Sequence, residues 1–285
     1  MNDRNASKAS PVNALGALLR QWRNTRGKSQ IELSLDSGVS QRHVSFIESG
    51  RSLPSRETLI GIAEALDIPL RDRNTLLLAA GFAPLYSETA WNASEMRSLT
   101  QAIQRILRQH DPFPAVVMDR YWNVLLSNDS APRFFGSFID MAARKGPRNL
   151  LHLMFDPHGM RPFVQDWETV ARSLIQRVYR ESVGRVVDEK TKQLLAQLLT
   201  YPGVEADWKS PAVSSIGPMT PVMTYSFLWK EQVLNYFSMI TTVGSPASVA
   251  AQELRIECMF PTDSVTECCH AAVMAAPSVA QPIQE

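Results

Sequence analysis

Apolar residues recur at helical spacing in the run LGALLRQWRNTRG, where Leu15, Leu18, Leu19 and Trp22 share one side and Arg20, Arg23 and Arg26 lie elsewhere. This predicts a first helix from Ala14 to near Gly27. The next stretch, SQIELSLDSGVSQRHVSFIESG from Ser29 to Gly50, predicts two short helices meeting at a tight turn. Ser29 and Glu32 make a capping box, whose hydroxyl and carboxylate satisfy N–H groups that a helix start leaves unpaired. Ile31, Leu33 and Leu35 are the expected apolar contacts. Gly38 ends the first helix of the pair, because glycine takes a left-handed conformation without steric cost, and Ser40 caps the second. Val39 and Val44 flank that cap as a hydrophobic staple. Val44 and Ile47 point inward, Gln41, Arg42, His43 and Ser45 fill the remaining face, and Phe46 suits either. A fourth helix follows Pro54 and Ser55, with Leu59, Ile62, Ala63 and Leu66 inward, and a fifth covers about Leu70 to Ala80. Five short helices over residues 11–82 form a bundle.

The pattern then lapses. Residues 83–94, APLYSETAWNAS having no period after its first Ala, read as a linker. Glu95 to Gln109 is helical again, with Met96, Leu99, Ile103, Ile106 and Leu107 on one side, as core or as a partner helix in a dimer. PAVVMD at 114–119 and NVLLSN at 123–128 switch to strand character. Helices are expected over Pro132–Phe138 and Asn149–Phe155, within the run from Arg161, and over Glu189–Thr200. Strands follow at 224–230, 233–242 and 254–260. This order predicts an α+β sheet domain over residues 95–262, between a loose N-terminal tail (1–10) and an Ala-rich C-terminal tail (263–285).

Composition narrows the reading only slightly. With 285 residues and 45% apolar content the chain can build two domains. No apolar run reaches membrane-spanning length and the N-terminus lacks the apolar centre of a secretory signal, so a cytoplasmic protein is expected. Three cysteines, Cys258, Cys268 and Cys269, are too few for a disulfide framework. Residues 1–85 carry 11 Lys/Arg against 8 Asp/Glu, and the rest is slightly acidic, for a net charge of +1. Attraction to phosphate therefore rests on the local placement of Arg20, Arg23, Arg26, Lys28, Arg42 and Arg51.

The SQIEL helix start, the GVSQRHVSFIESGR core, the Pro54 break and the LIGIAEALDIP helix together resemble the helix-turn-helix domain of the xenobiotic response element family, over about residues 12–82. The resemblance implies that the first helix of the pair crosses the DNA backbone and the second lies in the major groove. Side-chain chemistry fits that placement: Gln41 can pair with adenine, Arg42 with guanine or a phosphate, and Phe46 can pack on a thymine methyl. His43 and Ser45 complete the face. Gln30 and Arg51 are placed for phosphates.

PFPAVVMDRYWNVLLSNDSAPRFF, NLLHLMFDPHGMRPFVQDWE and the closing strands resemble the ligand-binding domain of MmyB-like transcription regulators, a PAS-like sheet wrapped by helices, over about residues 96–262. The resemblance implies a sensor with an apolar pocket, fatty acids being one ligand class. Phe134, Phe135, Phe138, Met154, Phe155, Trp167, Tyr225, Phe227 and Phe237 are the candidate lining, each with core packing as the competing role.

The expected fold is thus an all-α five-helix helix-turn-helix DNA-binding domain followed by an α+β PAS-like sensor domain. His152 and His158 around Asp156 are better suited to a structural or pocket role than to a metal, and the neighbouring Cys268, Cys269 and His270 cannot readily chelate one ion together. No nucleophile elbow, phosphate loop or dinucleotide fingerprint is present, and Asp166 and Glu168 face different directions on a helix. No enzyme activity, metal or cofactor is expected. The expected partners are an operator duplex, a second copy of the chain and a small apolar ligand. The alternative is a second domain that only dimerises or contacts protein.

Overall fold

The computed structural model describes residues 11–183, 189–209 and 224–277. The tail expected over residues 1–10, and the residues from 278 onward, lie outside that range. Five helices come first: α1 (Pro11–Thr25), α2 (Gln30–Ser37), α3 (Gln41–Glu48), α4 (Arg56–Ala65) and α5 (Leu70–Ala79). Their ends follow local chemistry. Ser29 Oγ accepts from the Glu32 N–H while Glu32 Oε2 accepts from the Ser29 N–H at 2.6 Å, the full capping box. Gly38 closes α2 at φ 69° and Ser40 Oγ accepts from the His43 N–H to start α3. At the far end of α3, Gly50 has φ 71°, its N–H donates to Ile47 O, and the Arg51 N–H donates to Phe46 O at 2.8 Å. That is a Schellman motif, which needs the left-handed residue glycine supplies.

Leu15, Leu19, Trp22, Leu33, Val44, Ile47, Leu59, Ile62, Leu76 and Leu77 bury one core among these helices. Two expected contacts are not in it. Ile31 is 55% and Leu35 78% exposed. On a helix of eight residues only one narrow stripe reaches the core, and Leu33 occupies it. Gly16 lets α1 approach the end of α3, since a Cβ there would lie 2.6 Å from the Glu48 carbonyl oxygen. The aperiodic stretch after α5 is anchored as well. Asn74 Oδ1 accepts from the N–H groups of Leu85 and Tyr86, and its Nδ2 donates to Tyr86 O. Among the described residues, 11–89 form one compact unit with 245–252, in which Ser87 bridges Ser248.

The second unit begins with α6 (Arg97–Gln109) and continues through β1 (Ala115–Met118), β2 (Val124–Ser127), α7 (Ser130–Gly136), α8 (Leu150–Phe155), α9 (Trp167–Val183) and α10 (Glu189–Leu198). β3 (Thr224–Trp229) and β4 (Gln232–Thr242) follow. The short α11 (Val249–Glu253), which belongs to the first unit up to Gln252, precedes β5 (Arg255–Pro261) and α12 (Ser264–Ala275) of the second. All strand pairs are antiparallel, in the order β2-β1-β5-β4-β3. The fold is the expected α+β architecture behind a helical domain.

Strand alternation sorts the side chains. Val116 pairs with Glu257, Glu257 with Ile240, and Tyr225 with Tyr236, so these share the face that packs on α7, α8 and α9. Phe237 belongs to the opposite face, stacked on Phe260 at 5.3 Å, with the His110 ring 4.8 Å from Phe260.

Within the stretch expected as an Ala-rich tail over 263–285, Ser264–Ala275 are helical and packed, and residues from 278 onward lie outside the described residues. Asp263 Oδ1 caps α12 by accepting from the Thr266 N–H at 2.7 Å. His270, fully buried on α12, bridges two segments: its Nδ1 meets the Tyr236 hydroxyl at 2.7 Å and its Nε2 the Pro112 carbonyl at 2.8 Å. The carbonyl can only accept, so Nε2 carries the proton and Nδ1 accepts from the tyrosine.

Candidate functional site

Two regions collect the sequence candidates. On the first unit, the start of α3 presents Gln41 and Arg42 as exposed side chains, with His43, Ser45 and Phe46 half-buried behind them. Phe46 lies outside the apolar core. Its ring carries the Arg42 guanidinium at 5.2 Å and that of Arg51 at 5.9 Å. The ring thus holds two cations side by side at the outer face of α3, a cation–π arrangement that fixes both side chains.

The other cations expected to attract phosphate do different work. Arg23 donates from Nε to Glu48 Oε1 at 2.6 Å and from its terminal nitrogen to Oε2 at 2.9 Å. Arg20 donates to the Glu48 carbonyl, Arg26 to the carbonyls of Leu66 and Asp67, and Lys28 to Asp36 and the Ala65 carbonyl. Gln30 spends an amide hydrogen on Glu48 Oε2 at 2.9 Å. Glu48 is therefore the hub that ties α1 and α2 to the end of α3. Burial alone would push its carboxyl up, but hydrogen bonds from Arg23 and Gln30 and the nearby positive charges hold it below the usual carboxylate range. Charge counting could not reveal this, because the pairings join residues far apart in sequence.

On the second unit, a cavity of about 40 Å³ opens on the inner face of the sheet. At roughly 10–15 Å³ per water it holds a few waters. Met154, Tyr225 and Phe227, with Phe135, are the aromatic and sulfur-bearing candidates that reach it. Phe134, Phe138 and Phe155 do not line it; they are consumed in packing, Phe134 meeting Phe135, Phe138, Phe227 and Tyr236 ring to ring. Trp167 turns its N–H to the Met154 carbonyl, under the Arg161 guanidinium. Phe237 is on the wrong face of its strand.

The lining also contains residues that the sequence reading passed over, among them Val116, Leu174, Met259, Trp122 and Glu257. Glu257, 7% exposed, is the sole acid among them. Ser238 hydrogen-bonds its carboxyl, yet Oε2 has no partner among the described residues. Burial raises its pKa, against the opposing pull of Ser238, Arg177 and Arg255. Tyr225 is raised too, by burial first and then by the adjoining Glu257. Trp122, 2% exposed, likewise leaves Nε1 unpaired, with the Arg177 guanidinium 4.9 Å over its ring. One signal in the sequence marks Glu257: it is the one acid in the strand LRIECMF, two residues from Met259 and so on its phase.

The remaining candidates are structural. His152 Nδ1 lies 2.9 Å from the Tyr201 hydroxyl, and burial lowers its pKa. Asp156 pairs with Arg144 at 3.0 Å, and the His158 side chain is almost fully exposed. No group of three metal-ligating side chains occurs among the described residues, and none of the described helices is long and apolar enough to cross a membrane. Cys258, Cys268 and Cys269 are free thiols.

Residues 19–72 match the helix-turn-helix family, and residues 99–271 match the family described as the MmyB-like transcription regulator ligand binding domain. An uncharacterized HTH-type transcriptional regulator of Sinorhizobium fredii is 35% identical over 95 residues, covering 32% of this chain and 48% of that protein. The ImmF control region 10 kDa protein of Bacillus phage phi105 is 39% identical over 56 residues, 20% of this chain and 62% of that one. The chain thus spans about half the length of the first relative and less than two thirds of the second. With a ligand-binding-domain match that runs over more than half of its length behind a helix-turn-helix, the chain belongs to the MmyB-like transcription regulators.

Proposed function

We propose that this chain is a cytoplasmic, ligand-controlled transcription regulator that binds operator DNA as a homodimer, with α3 in the major groove. The observation that carries the reading is the exposed start of α3, where Gln41 and Arg42 stand clear of the core beside the Phe46–Arg51 pair. A glutamine and an arginine there have the bidentate geometry that distinguishes adenine and guanine edges. Arg51 serves a phosphate. Gln30 supports the interface through Glu48, with its second amide hydrogen left for the backbone.

In this reading the second unit binds a small, largely apolar molecule, fatty-acid-like in its chain, and binding favours one placement of the two reading heads. Only the placement that matches half-sites about 34 Å apart holds DNA tightly. Selection of bound duplexes from a randomised pool by the full chain tests the DNA half. An enriched motif with two related half-sites is expected, and a pool that stays random would overturn it.

The modest cavity favours one alternative, a second unit that only dimerises or contacts protein. Native mass spectrometry separates the two readings. A copurified small molecule supports the sensor, and a chain that stays empty after exposure to amphiphiles supports the contact module.

A further inference from the structure

We propose that the cavity selects an amphiphile whose polar end is uncharged and both donates and accepts hydrogen bonds, an amide or alcohol on an apolar body, read by Glu257 and Trp122. The inference rests on the sensor reading and adds the chemistry of the head group. Both residues line the cavity, both are more than nine-tenths buried, and each keeps one polar atom without a partner among the described residues. Glu257 Oε2 offers an oxygen. Trp122 Nε1 offers an N–H and can only donate. A buried polar atom left unpaired costs about 1–3 kcal/mol, so a ligand that satisfies both atoms gains where a purely apolar one does not.

Charged heads fit less well. A carboxylate has acceptors only. It can accept a hydrogen bond from the Trp122 N–H, but it sets a second acid against Glu257. An ammonium has donors only, so it leaves Trp122 unpaired and buries a cation near Arg177, whose guanidinium lies 4.9 Å from the Trp122 ring. The amide has one group for each atom. The rest of the wall, including Phe135, Leu174 and Phe227, is mostly apolar and suits the body of the ligand.

Binding of decanamide, decanol, decanoate and decylammonium to the full chain, by titration calorimetry and tryptophan fluorescence, tests the proposal. Decanamide and decanol should bind at least about tenfold more tightly than the two ions, the value of one satisfied buried polar atom. Glu257→Gln should shrink the preference for decanamide over decanoate to below about threefold, because the new amide donates to a carboxylate. Should that variant fail to fold, Trp122→Phe should weaken decanamide by about tenfold while changing binding of decane little. Decanoate binding as tightly as decanamide overturns the head-group inference and leaves the sensor reading standing. Failure of every probe, decane included, overturns the sensor reading with it.

Discussion

Two buried glutamates set the two units apart. Glu48 in the first unit has both carboxyl oxygens occupied, by Arg23 and Gln30, and its carboxyl is held below the ordinary range. Glu257 in the second keeps one oxygen unpaired among the described residues and is pushed above that range by burial. The first arrangement stabilises a fold: it locks the end of α3 to α1 and α2, so that Gln41 and Arg42 are presented on a rigid support. The second spends stability to keep polar atoms ready at a cavity. A buried acid is thus a strut or a receptor according to whether its oxygens are already paired.

The largest effect should come from removing the strut. Glu48→Gln leaves the Arg23 guanidinium, itself mostly buried, without its charge partner, and should destabilise the first unit by about 3 kcal/mol in urea unfolding. The Glu48 contribution is present above the unfolded carboxylate value of about 4.3 and is lost as pH falls through the lower folded value, so wild type and variant should converge in acid. A loss below about 1 kcal/mol at neutral pH would remove the contrast between the two acids.

A smaller loss should follow in the second unit where its polar groups are paired. Tyr236→Phe strips His270 Nδ1 of its donor and should cost about 1–2 kcal/mol in thermal unfolding. A neutral result would mean that this unit tolerates unpaired polar atoms generally, and Glu257 would lose its distinction.

The smallest effect has the opposite sign. Glu257→Gln should raise the unfolding temperature at neutral pH, because the native acid resists ionisation among Tyr225, Ser238, Arg177 and Arg255 while the unfolded one ionises freely. A raised folded pKa costs stability as pH climbs above the unfolded value of about 4.3 and costs nothing below it. The gain should therefore vanish near pH 4, and a destabilised variant at neutral pH would show Glu257 to be a second strut.

The first unit was legible because its signals are local. The Ser29–Glu32 box, the Ser40 cap and the Gly38 stop each act within a few residues, and all take the expected form. What long-range pairing decides stayed hidden. Arg20, Arg23, Arg26 and Lys28 looked free for phosphate until Glu48 and the carbonyls of Ala65, Leu66 and Asp67 were brought beside them. In the second unit, residue type misled where strand phase would have helped. Phe237 follows the inward Tyr236 directly and so faces away, whereas Glu257 shares its phase with Met259 at the cavity. The α12 helix was missed although Asp263 and Thr266 mark its start, because its alanines and paired cysteines give no clear apolar stripe.

The most direct test of the account is a competition between an enriched duplex and a scrambled one for the full chain and for its Gln41→Ala, Arg42→Ala variant. Each bidentate base contact is worth about 1–3 kcal/mol of discrimination, so the variant should lose at least about tenfold in the preference for the enriched duplex. Its unfolding temperature should stay unchanged, since both side chains are exposed. An unchanged preference in the folded variant would place the reading head elsewhere and contradict the assignment of α3.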